Sequence, residues 1–243
     1  TNNLNVNAGT TNVEDNLTAT TTTISTGTAN LNTASGTTSS NIVFNNTGTA
    51  NLNGDLTGDI KFAGNNATVN VSDGKGILGS VQTLASNNTG ILNYKGDGFL
   101  DGTIGSNIYG IKELNVNTNN QQNKDSNGVV LSQGLFITRE LFADVIGLKN
   151  NATLTLADNA NIKNTGSDNL VITTDAQNSG KLVFEGSSEV LGEVGSSGNN
   201  LSKFSPSLKR CLNTGVFAER SASLSADIVG SPEDSEAYDG YYE

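Results

Sequence analysis

The sequence has no histidine, methionine or tryptophan, and only one cysteine and two prolines in 243 residues. Without histidine, imidazole catalysis is excluded, and the single Cys211 can form neither an internal disulfide nor a Cys–His nucleophile or zinc site. Residues 1–204 lack proline, which is typical of a chain whose backbone N–H groups are nearly all bonded to neighbouring strands. Hydrophobic residues make up 34% and aromatic residues 5%, which suits a thin core shared between stacked repeats better than a thick globular core.

Positive charge is also scarce. Lysine and arginine number 13 against 24 acidic residues, so the net charge is −11 and the pI is about 4.3. This balance argues against binding to nucleic acids or anionic membranes, which require basic patches. No apolar run is long enough to span a bilayer, and no signal peptide opens the sequence. Because the chain begins at Thr1, we expect a fragment or a processed product whose export signal, if it has one, lies outside this sequence.

Repetition is what the sequence does contain. The stretch Asn87–Leu114 returns 90 residues later as Gln177–Phe204, without a gap. Glycines mark bends and close approaches, and apolar positions mark what is buried, so their coincidence predicts one local backbone path used twice. The identical pairs are Asn88/Asn178, Gly90/Gly180, Leu92/Leu182, Gly96/Gly186, Gly102/Gly192, Gly105/Gly195 and Ser106/Ser196.

A shorter period lies within this repeat. The heptapeptide TGTANLN occurs at residues 26–32 and again at 47–53, a shift of 21, and NNATVNVSD at 65–73 is similar to NNATLTLAD at 150–158. One inward apolar residue taken from each unit gives steps of 19 to 26 residues, most of them 21 or 22. The residues in this series are Leu31, Leu52, Val71, Leu92, Leu114, Leu135, Leu156, Leu182 and Phe204.

The units are built from short alternating segments such as ATVNV, ILNYK and TLTLA, separated by Gly- and Asn-containing turns. This period of two predicts strands, and a step of about 20–22 residues per coil predicts an all-β parallel β-helix, or solenoid. Residues 135–148 (LFITRELFADVIGL) also fit a near-helical spacing. For this segment a short amphipathic helix is an alternative to two strands, and the 21-residue step favours the strands.

The chain divides into three parts by composition. Residues 1–26 are a weakly patterned segment rich in Thr and Asn, and residues 27–204 hold the β-helix repeats. Residues 205–243 form a divergent acidic tail that contains both prolines and the only cysteine. A cap over the last coil would protect its open strand edges, whereas the acidic composition favours disorder after about residue 220. The sequence leaves both alternatives open.

The repeat motifs resemble those of a known family. Asn-Asn-Ala-Thr followed by alternating apolar residues, then G-x-L-x-[FY]-x-G and G-x-[IV]-G-S, resembles the repeat of rickettsial surface cell antigen passengers, including the outer membrane protein B family. The resemblance covers roughly residues 27–204. It implies an autotransporter passenger domain, which is a right-handed parallel β-helix displayed on a Gram-negative cell and attached to the outer membrane through a translocator barrel not in this chain.

Four aspartates are candidates for chemistry. Asp55/Asp59 and Asp97/Asp101 could serve as acid–base pairs of a β-helix lyase or hydrolase. All four lie beside glycines, and local Asx hydrogen bonds in turns explain them better. Lys124–Gly128 and Gly96–Gly98 are faintly similar to calcium loops but lack the twelve-residue ligand spacing. We therefore predict no catalytic, cofactor-binding or metal-binding residues.

These observations predict a surface-displayed structural and adhesive rod rather than an enzyme. Its expected partner is a host cell-surface or matrix protein of unknown identity, with possible self-association through coil ends, no nucleic acid, and no membrane insertion by this segment. Two alternatives from other classes remain: a carbohydrate-active β-helix enzyme, and a self-assembling surface-layer or fibre subunit.

Overall fold

The computed structural model describes residues 2–63, 66–84, 89–119, 123–124, 130–131, 134–165, 170–195 and 199–205. These residues belong to a first unit, Thr1–Cys211, and the second unit, Leu212–Glu243, lies outside them. The predicted tail from residue 206 onward therefore also falls outside the described residues. Within the described ranges, the regular secondary structure consists of strands.

Twenty-four strands are present in the described part of the chain. In chain order they are β1 (Asn3–Val6), β2 (Thr10–Val13), β3 (Leu17–Ile24), β4 (Thr28–Leu31), β5 (Thr38–Phe44), β6 (Thr49–Leu52), β7 (Leu56–Thr57), β8 (Ile60–Phe62), β9 (Thr68–Val71), β10 (Lys75–Leu78), β11 (Val81–Thr83), β12 (Thr89–Tyr94), β13 (Gly98–Asp101), β14 (Ile111–Val116), β15 (Asn123–Lys124), β16 (Val130–Leu131), β17 (Gly134–Ile137), β18 (Leu141–Leu148), β19 (Thr153–Leu156), β20 (Ile162–Lys163), β21 (Val171–Thr174), β22 (Lys181–Phe184), β23 (Glu193–Val194) and β24 (Lys203–Ser205).

The strands form two long parallel sheets. The first sheet runs β1-β3-β5-β7-β10-β13-β17-β19-β22-β24, with β8 pairing both β5 and β11. The second sheet runs β2-β4-β6-β9-β12-β14-β18-β21-β23, with β20 beside β18. Neighbours in each sheet come from successive turns of the chain, so the predicted parallel β-solenoid is confirmed. The described strands contain one antiparallel pair, β15 with β16, which lies outside both sheets.

Coil length varies more than the predicted 20–22 residues. Strand partners in successive coils are 18 residues apart at Asn3 and Thr21, and 23 apart at Ile77 and Leu100. The coil from Gly98 to Leu135 takes 37 residues because it contains the β15–β16 hairpin. The coil from Leu154 to Leu182 takes 28.

Residues 2–26 and 135–148, whose sequences depart from the regular repeats, belong to the same solenoid. Residues 2–26 contain β1, β2 and β3, which pair in the two sheets like the strands that follow. Residues 135–148 form β17 and β18, so the helical alternative is wrong and the two-strand interpretation is confirmed. The apolar character of this segment reflects burial on both strands, since β18 is largely buried along its length.

The predicted series of inward residues is buried wherever the structure describes the side chain, but it does not form one column. Leu31, Leu52 and Val71 align in the second sheet, whereas Leu92 pairs with Val69 rather than with Val71. From Leu135 onward the series lies in the first sheet. The steps looked uniform because every coil has inward apolar positions on both sheets. The coil with the β15–β16 hairpin then moved the count from the second sheet to the first, between Leu114 and Leu135.

The 90-residue repeat shows the same shift. Leu92 and Leu182 both have fully buried side chains, as predicted, yet β12 lies in the second sheet and β22 in the first. The local path is nevertheless used twice, because Gly90 and Gly180 have φ angles of 81° and 75°. A second matched pair, Gly105 and Gly195, has φ angles of 68° and 76°.

The core is a thin column of side chains between the two sheets. The rings of Phe44 and Phe62 stack with centroids 5.3 Å apart and an interplanar angle of 16°. Tyr94 is fully buried, and its hydroxyl donates to the carbonyl oxygen of Phe99 at 3.1 Å. Burial raises the pKa of the Tyr94 hydroxyl far above its ordinary value. The tyrosine is therefore a neutral hydrogen-bond donor inside the rod.

One corner of the solenoid admits no side chains, and we call it the glycine corner. It consists of Gly58, Gly79 and Gly102 in three successive coils. A Cβ atom at any of them would overlap the carbonyl oxygen of the preceding coil, which belongs to Ser40, Gly58 or Gly79 respectively. Glycine is required here because neighbouring backbones touch directly.

Candidate interaction surface

The outer face of the second sheet is built from a T-x-N-apolar pattern. In β4 and β6 the alternate residues Ala and Leu are buried, so the Thr and Asn between them point outward. Because Thr28 pairs with Thr49 and Asn30 with Asn51, the same side-chain types stack in columns along the rod.

The asparagine column forms a continuous hydrogen-bonded ladder, which we call the asparagine ladder. Each side-chain Nδ2 donates to the Oδ1 of the asparagine in the coil before it, over 2.6 to 3.0 Å. The ladder ends at Gly147, which pairs with Asn115 and has no side chain to continue it. Its members are Asn12, Asn30, Asn51, Asn70, Asn93 and Asn115.

A threonine column runs beside the ladder. Thr28, Thr49 and Thr68 occupy equivalent positions in β4, β6 and β9. Within the described residues, their hydroxyls have no protein hydrogen-bond partner, whereas the asparagine amides are bonded to one another. The result is a polar face on which the asparagines hold the coils together and the threonine hydroxyls remain available to water or to another molecule.

The four candidate aspartates bond to neighbouring coils. Asp55 accepts from the backbone N–H of Gly76 at 2.9 Å, and Asp59 accepts from that of Ser80 at 2.9 Å. Both donors lie 21 residues further along the chain, one coil on. The sequence interpretation of local Asx turns was therefore wrong about the partner, because Asx turns bond two residues away.

Asp97 and Asp101 have the same role at the long coil. Asp97 accepts from the backbone N–H of Gly134 at 2.7 Å, and so bridges the insertion. Asp101 accepts from the Thr138 hydroxyl at 2.7 Å, with the Arg139 Nε at 3.7 Å. Backbone N–H groups and a hydroxyl therefore use these carboxylates as acceptors.

Of the two segments similar to calcium loops, the structure describes one. Gly96–Gly98 places Asp97 in the coil link described above, and Lys124–Gly128 lies outside the described residues except for the backbone of Lys124. In the described ranges, no group of three or more Asp, Glu, Cys or His side chains is arranged to hold a metal ion.

A loop with exposed apolar side chains connects β13 to β14, and we call its residues 105–110 the 105–110 loop. Ile108 is 64% exposed and Tyr109 is 38% exposed, so two large apolar side chains lie next to each other on this polar surface. The backbone N–H of Ser106 donates to the Tyr109 carbonyl at 2.8 Å, so the loop is closed by its own hydrogen bond. It is an irregular loop with two exposed apolar side chains.

Comparison with known proteins adds nothing to what the fold shows. The chain matches no family model, and no curated protein or solved structure is significantly similar to it. In the described part of the chain, no helix has the length and apolar character needed to cross a membrane. The described residues define a parallel β-solenoid with a laddered polar face and exposed apolar side chains in the 105–110 loop.

Proposed function

We propose that this chain is the rod-forming passenger segment of a bacterial autotransporter, displayed on the cell surface with a structural and adhesive role. The proposal is supported by the parallel β-solenoid and by repeat motifs that resemble those of rickettsial surface antigen passengers. The observation that carries it is the use of the surface polar groups. Asparagine amides and aspartate carboxylates bond from coil to coil, which is what an extended rod requires.

Adhesion needs a surface that another protein can bind, and the 105–110 loop is the best candidate. The exposed tyrosine and isoleucine of this loop are side chains of the kind that anchor protein interfaces, where aromatic residues are enriched and charged residues are depleted. The acidic net charge of −11 further favours a partner with a neutral or basic surface. We therefore assign the contact to a host cell-surface or matrix protein.

Surface display tests this function. Residues 1–205, fused to a translocator barrel on a Gram-negative cell, should increase adhesion to mammalian cells or matrix-coated plates over the barrel alone. Replacing Ile108 and Tyr109 by serine should remove most of that increase, whereas the same change at Leu78, another exposed apolar residue, should not. Equal adhesion with and without the rod would refute the adhesive role.

The carbohydrate-active alternative makes an opposite prediction. As a rod protein, the purified chain should release no sugar from pectin-like glycans. Turnover that is measurable and is abolished by Asp97→Asn or Asp101→Asn would move the assignment to an enzyme, because those variants keep an acceptor for the coil links but remove the carboxylate.

A further inference from the structure

The second copy of the heptapeptide TGTANLN is followed by glycine, so the chain carries an Asn-Gly dipeptide at Asn53–Gly54. Asn-Gly is especially prone to deamidation in an unfolded chain, because glycine has no side chain to hinder attack of its backbone nitrogen on the asparagine carboxamide. The first copy is followed by Thr33, whose branched side chain hinders the same approach. The second copy therefore ends in a chemically labile bond.

Packing explains why glycine occurs at position 54. Gly54 is buried, and a Cβ atom there would overlap the carbonyl oxygen of Gly36 in the preceding coil. The same Cβ atom would lie 2.9 Å from Oδ1 of Asn32, which is closer than Cβ atoms normally approach. Because a side chain would push the two coils apart, the fold cannot exchange this glycine for a residue that slows the reaction.

The fold also holds the Asn53 carboxamide at both of its polar atoms. Its Nδ2 donates to the carbonyl oxygen of Leu31 in the preceding coil at 3.0 Å. Its Oδ1 accepts from the Ser72 hydroxyl in the following coil at 2.9 Å. The carboxamide is therefore fixed in the direction in which the coils stack, whereas the Gly54 nitrogen that would attack it lies along the chain.

We propose that Asn53–Gly54 is a modification site that the stacked coils keep closed, and that it deamidates when the Asn53 side chain is released. In the reaction the Gly54 nitrogen, after losing its proton to a buffer base, bonds to Cγ of Asn53. The bond from Cγ to Nδ2 breaks, and Nδ2 leaves as ammonia with a proton from water. Water then opens the cyclic imide at either carbonyl carbon, which gives aspartate or isoaspartate.

Deamidation is irreversible under these conditions, and it weakens the contact that had prevented it. A carboxylate at position 53 cannot donate to the Leu31 carbonyl, and it places negative charge beside that oxygen. Isoaspartate also routes the backbone through the former side chain, which displaces Gly54 from Gly36. A rod that has opened at this coil therefore closes less stably, and the product accumulates as a chemical record of the opening.

The two hydrogen bonds set the size of the protection. Releasing two neutral hydrogen bonds lowers the population of the reactive conformer about thirtyfold, and releasing one lowers it about fivefold. Deamidation of Asn53 should therefore be at least about tenfold slower in the folded chain than in the unfolded chain.

The test incubates the folded chain and the urea-unfolded chain in mildly alkaline buffer. Aspartate and isoaspartate at position 53 are then quantified by peptide chromatography and mass spectrometry. Asn127–Gly128 is the second Asn-Gly dipeptide of the sequence, and it serves as the reference in urea, where both dipeptides should react alike. Slow reaction of Asn53 in the folded chain alone is the expected result.

Three variants separate release of the side chain from unfolding of the whole rod. Ser72→Ala removes one of the two bonds and should raise the rate in the folded chain about fivefold. Ser72→Thr keeps the hydroxyl and should leave the rate unchanged. Leu182→Ala truncates a fully buried residue far from Asn53, so it weakens the core without removing either bond and should also leave the rate unchanged. Circular dichroism of each variant checks its fold.

Three outcomes would overturn the proposal. The first is an equal rate in the folded and unfolded chains, a comparison that needs no variant. The second is an unchanged or slower reaction in Ser72→Ala, because a slower one would mean that the hydroxyl stabilises the oxyanion of the attack instead of restraining the side chain. The third is an acceleration by Leu182→Ala as large as that by Ser72→Ala, which would mean that the reaction requires unfolding of the whole rod.

Discussion

Replacing Asn51 by valine removes two hydrogen bonds from the middle of the asparagine ladder. Asn51 donates to Asn30 at 2.6 Å and accepts from Asn70 at 2.8 Å, and all three side chains are part-buried on the outer face of the second sheet. Valine fits the strand and keeps the alternation of buried and outward positions. The substitution therefore tests the ladder and leaves the core unchanged.

The expected cost follows from the two bonds. Each neutral hydrogen bond contributes about 1 kcal/mol net, so losing both costs about 2 kcal/mol. The amides left behind are part-buried and can reach water, which avoids the full penalty of an unpaired buried group. Valine recovers up to about 1 kcal/mol through its strand preference. The free energy of unfolding should therefore fall by about 1–2 kcal/mol.

Thr49→Val is the matched control, because Thr49 lies two residues away on the same strand and face, and its hydroxyl has no partner among the described residues. Its effect should stay within about 0.5 kcal/mol. Urea unfolding followed by far-UV circular dichroism gives both values. With a slope of about 2 kcal/mol per molar, the Asn51→Val midpoint should fall by about 0.5–1 M. Equal midpoints for the two variants would show that the ladder contributes nothing to stability.

Three further substitutions test other parts of the rod. Leu92→Asp buries an unpaired charge and should lower the free energy of unfolding by several kcal/mol, whereas Ile91→Asp, one residue away and outward, should cost much less. A lower urea midpoint for Ile91→Asp than for Leu92→Asp would mean that the strand register is wrong by one residue. Gly102→Ala, at the glycine corner, should cost about 1–3 kcal/mol. Gly74→Ala is the control, because Gly74 has a φ of +71° but a Cβ there would meet no neighbouring atom, and it should cost about 1 kcal/mol. Similar melting temperatures for Gly102→Ala and Gly74→Ala would argue against the close approach of the backbones at the glycine corner. Asp97→Ala should cost about 1.5–3 kcal/mol and Asp97→Asn less than half of that, and equal losses in thermal melts would count against the coil link.

Period-two alternation was sufficient to predict the strands and their inward residues. Leu92 and Tyr94 are buried and Asn93 points outward, as the alternation requires. The sheet to which a strand belongs was not predictable, because inward positions of the two sheets look alike in sequence. Leu92 and Leu182 show this, since they match in the repeat and lie in different sheets. The β15–β16 hairpin and the 28-residue coil add residues between Leu92 and Leu182, and so move the second copy of the repeat from the second sheet to the first.

The polar surface was harder to predict than the core. An asparagine two residues after threonine recurs in β2, β4, β6 and β9, and this signal was visible in the sequence. Its meaning depends on coil register, because the hydrogen-bond partner lies 18 to 23 residues away. Asp55 is a similar case, since its flanking glycine indicated a local turn, and only the stacked coils show the Gly76 N–H as its partner.

The stacked identical heptapeptides make the length of this molecule adjustable in whole steps. Removing residues 27–47 joins Thr26 to Gly48 and regenerates TGTANLN, so β6 takes the place of β4 against β2 with the same contacts. In the first sheet, Ile24 then meets Phe62 in place of Phe44. The rod becomes one layer shorter, by about 4.8 Å, and in the second sheet each new neighbour is identical to the old one. Recombination between the two copies therefore yields shorter or longer variants whose second sheet needs no compensating substitution.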